Sequence, residues 1–220
     1  MECQRHGFQW EIDIKRKVFG ISEEEDTLSY TAKWDIPKEL NRIDDGVNIS
    51  IKTTGSDTVC MGDAIRIYEQ NPGDINTCIV IFYKQRGEQK VLTRIVEWVL
   101  NDLKALFGNV TLQEVRELQQ AVVSFPKNKR LSDVPEYKQK LTDMANILNA
   151  KSGAIKFNRK IDSGSQRRLQ CSISGFDAFI TKNSHLVAYD TPNPILRDVE
   201  ITRSILSGPR VFKCDEVCGE

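Results

Sequence analysis

Four side chains in the first part of the chain, Glu11, Asp35, Ser50 and Lys52, are of the kinds that handle a phosphate ester and a divalent cation. Phosphodiester hydrolysis calls for a cation that neutralises the phosphate and activates water, and Mg²⁺ is held by hard oxygen ligands such as carboxylates. Asp35 is separated from Ser50 by 14 residues. Lys52 follows Ser50 two positions on, the spacing that puts both on one face of an extended strand. Asp63 is a further carboxylate in the same stretch.

The pattern around these residues says which elements must present them. Phe8, Ile12, Val18 and Phe19 recur near helical spacing and Gly20 follows as a stop, so Glu11 is expected on an amphipathic helix. In LSYTAKWDI, Tyr30, Ala32 and Trp34 alternate with Thr31, Lys33 and Asp35, which predicts a strand ended by Pro37. VNISIKT alternates Val47, Ile49 and Ile51 with Asn48, Ser50 and Lys52. A Gly- and Thr-rich loop then leads to a short helix around Asp63 to Glu69, an Asn71-Pro72-Gly73-Asp74 turn, and TCIVIFYKQ as a buried central strand. Val91, Leu92, Ile95, Val96, Val99, Leu100, Leu103, Leu106 and Phe107 hold an i, i+3/i+4 pattern and predict a helix stopping before Gly108. Thr111 with Glu114 makes a capping box for a second helix, and Pro135 opens a third.

A helix with Glu, a strand with Asp, a strand ending Ser50-Ile51-Lys52, then a helix and a buried strand resemble the PD-(D/E)XK nuclease superfamily of restriction endonuclease-like folds. Ser50 stands where that family's motif has Glu or Asp. The resemblance covers roughly residues 8 to 85 and implies an α/β fold, with a mixed central sheet flanked by helices. It implies that Asp35 and the main-chain carbonyl of Ile51 hold Mg²⁺, that Lys52 polarises the attacking water or steadies the phosphorus, and that Glu11 is a supporting or alternate ligand. The expected activity is Mg²⁺-dependent cleavage of double-stranded DNA by a site-specific, type II-like restriction enzyme. Such an enzyme works as a homodimer and needs a cognate methyltransferase in the same cell. The competing readings are a non-catalytic DNA-binding or interaction module on the same fold, and a structure-specific repair nuclease.

A second feature lies at AIKFNRKID, SGS and QRRLQCSIS, which read as two strands about a Ser163-Gly164-Ser165 turn. Residues 151–170 carry six basic residues against Asp162, a net 6 − 1 = +5 in a chain whose 31 basic and 31 acidic residues cancel. Such a window is the footprint of a polyanion site. Lys156, Asn158 and Lys160 on one strand, and Arg168 and Gln170 on the other, would face DNA together with Arg167. Arg and amide side chains read base edges, whereas Lys mostly meets phosphate. Lys127, Lys129 and Arg130 form a smaller basic loop.

The expected plan is one domain: a catalytic core over 1–90, a helical insertion over 91–150, the basic hairpin over 151–175 and a C-terminal segment over 176–220 with a helix-like VEITRSIL. Cys3, His6, Cys214 and Cys218 have zinc-like spacings and would make a structural Zn²⁺ site if the termini met. No apolar run approaches the ~20 residues of a membrane span, no signal peptide is visible, and scattered cysteines fit a reducing compartment, so an intracellular place is expected. The composition, 40% apolar and 28% charged, excludes disordered, fibrous and disulfide-dense chains.

Overall fold

The longest apolar run, Cys78 to Tyr83, lies inside β3 (Ile75–Arg86), a strand buried on both faces because every alternate side chain finds a different apolar layer. The structure is a computed structural model that describes residues 9–27, 32–44, 46–71, 73–161 and 167–206. β3 pairs in parallel with β1 (Val47–Thr54) and antiparallel with β4 (Gln89–Val99). β4 in turn pairs with β7 (Val187–Thr191) and β10 (Ser204–Leu206), so the central sheet is mixed. Cys78, Val80, Val96 and Trp98 face one apolar cluster. Ile79, Ile81, Ile49, Ile51 and Ile95 face the other.

The first cluster is closed by α4 (Leu112–Val123), α5 (Pro135–Lys151) and α6 (Phe176–Lys182), together with a second sheet of three strands. That sheet runs in the order β2 (Thr58–Asp63), β6 (Arg167–Ser174), β5 (Ile155–Ile161). A short α2 (Ala64–Tyr68) joins β2 to β3. The second cluster is closed by Trp10, Ile14 and Val18 of α1, which is α-helical over residues 9–13 and π-helical over Ile14–Val18, and by Leu196, Ile201 and Ile205. The remaining elements are a short α3 (Leu103–Phe107) and a two-stranded β8 (Ile195–Leu196) and β9 (Val199–Glu200) ribbon. The chain is thus a mixed α/β protein, and among the described residues no helix is long and apolar enough to cross a membrane.

The sequence pattern misplaces four elements. The helix expected over Val91 to Phe107 is β4 followed by α3. Leu92 and Ile95 face one cluster while Val96 and Trp98 face the other, and a strand buried on both sides mimics helical spacing. A turn at Gly87, φ 56°, closes the β3–β4 hairpin that decides the matter. The strand expected in LSYTAKWDI is reduced, within the described part, to a single bridge between Ile36 and Ile49; residues 28–31 lie outside the described residues. The Gly- and Thr-rich loop contains β2, and the helix-like VEITRSIL is β9 and β10. The capping box at Thr111 and Glu114, the Pro135 helix start and both hairpin strands lie where the sequence puts them.

Candidate functional site

β1 is an outer strand of the central sheet, and its free edge must find partners for main-chain groups that β3 does not reach. Ile49 exchanges two hydrogen bonds with Ile36, at 2.8 and 3.0 Å. One residue before Ile36, the chain substitutes a side chain for main chain: Oδ2 of Asp35 accepts the Ile51 N–H at 2.6 Å. The same oxygen accepts from Ser50 Oγ at 3.1 Å and from Lys52 Nζ at 3.1 Å. Lys52 Nζ also donates to the Ile51 carbonyl at 3.1 Å. Asp35, Ser50, Ile51 and Lys52, four of the five residues read as a site from the sequence, therefore converge on one point, and the ammonium of Lys52 bridges the carboxylate and the carbonyl expected to hold a cation.

Strand register explains the convergence. Ser50 and Lys52 stand beside Cys78 and Val80 of β3, on the face opposite Ile49 and Ile51. Ser50 is buried, only 3% exposed, while the Lys52 side chain keeps 23% of its surface. Burial opposes the charge on Lys52, but Asp35 foremost, with smaller help from Glu11, outweighs it and holds the pKa above the ordinary lysine value. Lys52 is therefore a cation at neutral pH. Burial pushes the Cys78 thiol behind it up to about 12, so Cys78 is an inert apolar neighbour.

Glu11 enters from α1 and lines the same cleft, of about 620 Å³. Its carboxyl is raised above the usual glutamate range by burial first and by the charge of Asp35 second, with Lys15 and Lys52 opposing. Lys15, one helical turn on, bonds Glu11 at 2.9 Å and Asp26 at 3.1 Å, and is itself buried. Sequence reasoning passed over Lys15, although an i, i+4 Glu–Lys pair on a charged helix face was there to see. Asp63 also borders the cleft, but its carboxylate accepts the Arg66 N–H at 3.0 Å and so caps α2.

The basic hairpin reaches the same cleft. β6 pairs with β2, the strand after β1, with Gln170 opposite Asp63, so Arg168 and Gln170 line the cavity that holds Asp35 and Lys52. Across the hairpin Lys156, Asn158 and Lys160 stand opposite Ser172, Gln170 and Arg168, as alternation requires. Lys156, Lys160 and Arg168 are exposed. Asn158 uses its amide on Ser172 Oγ at 2.8 Å.

Arg167 departs from its expected role on the DNA face. It is buried on the opposite face of β6, donating to the carbonyls of Phe125, Pro126 and Lys129. Two more of the six basic residues in the window serve the fold, since Lys151 pairs with Glu114 and Arg159 bonds Thr142 Oγ1 at 2.9 Å.

Cys3, His6, Cys214, Cys218 and the Ser163-Gly164-Ser165 turn lie outside the described residues. Among the described residues no group of three or more His, Cys, Asp or Glu side chains is arranged to hold a metal. The oxygens beside Lys52 that a hard cation could use are the Asp35 carboxylate and the Ile51 carbonyl, and Glu11, Asp26 and Asp63 also line the cleft. No protein-family model matches the chain, and no curated protein or solved structure matches it either.

Proposed function

We propose that the protein is a Mg²⁺-dependent endonuclease of the restriction endonuclease-like kind, cleaving phosphodiester bonds in double-stranded DNA at a specific site. The observation that carries this reading is the meeting of Asp35, Ser50, Ile51 and Lys52 at the outer edge of β1. Asp35 and the Ile51 carbonyl would hold Mg²⁺, which binds one or two protein oxygens and fills its shell with water and phosphate oxygens. When bound, the cation would activate water and neutralise phosphate charge. Lys52, held cationic, would swing from the Asp35 and Ile51 oxygens that the cation takes and set its positive charge against the phosphoryl oxygens as they gain negative charge. Ser50 fixes the Asp35 carboxylate, and Glu11 adds a second negative group beside it. An intracellular place, a homodimer acting on two strands and a cognate methyltransferase belong to the same reading.

Incubation of the full chain with long unmethylated DNA and Mg²⁺ tests it, with discrete fragments as the expected result. A smear would support a nuclease without base preference. Asp35→Ala and Lys52→Ala should each lower cleavage by at least ~10²-fold while DNA binding persists, because both act on the reacting phosphate. Wild-type turnover in either variant would remove the site. Ser50 favours a second reading, a DNA-binding module without catalysis, since a neutral hydroxyl is a poor Mg²⁺ ligand; intact DNA with tight binding would select it.

A further inference from the structure

Arg167 joins two basic segments that are far apart in sequence. Its guanidinium lies 5.2 Å from the Phe125 ring and donates to the carbonyls of Phe125, Pro126 and Lys129, at 3.3, 3.0 and 3.4 Å. Those carbonyls belong to the turn that leaves α4. A planar guanidinium with several fixed donors holds such a turn in one shape, which a lysine ammonium does less well. The side chains that the turn sends outward are Lys127, Lys129 and Arg130, all exposed. Arg167 pairs with Ile161 across the hairpin, so the turn is fastened at the end of the ribbon that carries Lys160 and Arg168, also exposed. Residues 124–130, 155–161 and 167–174 contain no Asp or Glu. Lys127, Lys129, Arg130, Lys160 and Arg168 form no ion pair among the described residues.

We propose that loop 126–130 is a second DNA-contacting element, which grips phosphates of the duplex whose scissile strand enters the cleft, and that Arg167 is the positioning residue that holds it beside the hairpin. The inference rests on the nuclease reading for its ligand. Duplex DNA is the occupant favoured because Arg168 belongs both to this basic end of the hairpin and to the cleft of Asp35 and Lys52. Lysines and an arginine on a turn meet backbone oxygens and carry no sequence information, so the loop adds affinity and register, not base preference.

The test is binding of the full chain to a duplex without divalent metal, over a series of salt concentrations. Each phosphate contact contributes about 0.9 to the slope of log affinity against log salt. The triple variant K127A/K129A/R130A should lower that slope by about two to three units, equally on cognate and unrelated duplexes. Arg167→Lys keeps the charge but loosens the turn. It should lose part of the same slope with all three loop cations present, and trypsin should cut faster at Lys127 and Lys129.

Because all three loop residues are exposed, the triple variant should melt as the wild type does. A triple variant with unchanged slope, in a wild type that binds and cleaves DNA, overturns the loop contact and leaves the nuclease reading standing. An Arg167→Lys variant with wild-type slope and trypsin resistance overturns the positioning role. A wild type that binds no duplex overturns both. Loss of binding to anionic lipid vesicles in the triple variant, with DNA binding intact, overturns the choice of ligand.

Discussion

Oδ2 of Asp35 accepts a main-chain N–H, a hydroxyl and an ammonium together, and each donor does different work. The Ile51 N–H fastens the carboxylate to the sheet edge, Ser50 fixes its rotation, and Lys52 sets an ammonium against it in a half-buried place. Replacing Ser50 by Ala should cost about 1 kcal/mol, read by denaturant melts, since one hydrogen bond of three is lost. Ser50→Asp is more telling. It sets a second carboxylate, 3% exposed in the parent, against Asp35 and removes a donor, so it should destabilise the metal-free protein by roughly 3–5 kcal/mol. A divalent cation shared by the two acids would offset part of that loss. The thermal midpoint of Ser50→Asp should therefore rise with Mg²⁺ and fall again with chelator far more than that of Ser50→Ala; equal responses would mean that position 50 does not face the cation. Asn48 shows the limit of reading single residues from a stripe. It shares the Ser50 and Lys52 face in sequence, yet its amide bonds Asn76 at 3.0 Å and accepts from the Lys38 N–H at 2.9 Å, a purely structural network.

Elements were legible where a local rule decides them and misread where a distant partner does. The α4 start follows from Thr111 and Glu114 alone, since each satisfies a main-chain or side-chain group of the other. Glu114 is held down to about 2, mainly by Lys151 and then by Thr111, from the ordinary value of 4.5. A depressed carboxylate contributes stability above its unfolded pKa and loses it as the pH falls through the folded one. Glu114→Ala should therefore cost about 1 kcal/mol at neutral pH, and the difference from wild type should shrink between 4.5 and about 2. A pH-independent difference in urea melts would argue against the Lys151 pair. By contrast, β4 has no local signature that separates it from a helix, because both of its faces are covered by elements far away in sequence. The site was legible in its residues, Asp35, Ser50, Ile51 and Lys52, but the strand expected to carry Asp35 was not needed, as the carboxylate itself completes the edge. The joint of α3 and α5 was invisible for the same reason. A Cβ at Gly108, φ +59°, would lie 2.4 Å from the Lys151 carbonyl oxygen, and one at Gly153 would lie 2.2 Å from that of Ala105. Gly108→Ala should accordingly destabilise by roughly 2–4 kcal/mol, from backbone strain and overpacking together, measurable by calorimetry.

At the scale of the molecule, two sheets share consecutive strands: β1 carries Ser50 and Lys52, and β2, four residues later, carries the hairpin. The groups proposed to cleave DNA and those proposed to read it are thus set on adjoining elements, β1 and the β2–β6 pair. The helix bearing Glu11 is tied down elsewhere. Trp10 Nε1 donates to the Thr202 carbonyl at 2.7 Å, and the Thr202 N–H donates to Asp13 at 2.6 Å. Amide exchange should therefore show α1 and the segment of Ile201 to Leu206 opening together as one unit, and separate rates for the two would contradict that coupling. The clasp spans 192 positions of the chain. At synthesis rates of about 5–20 residues per second, roughly 10–40 s pass on the ribosome between the making of Trp10 and that of its partner. Through that interval Glu11 has no anchored helix to stand on, so a growing chain already long enough to contain Asp35, Ser50 and Lys52 still lacks a finished cleft until Thr202 has been made.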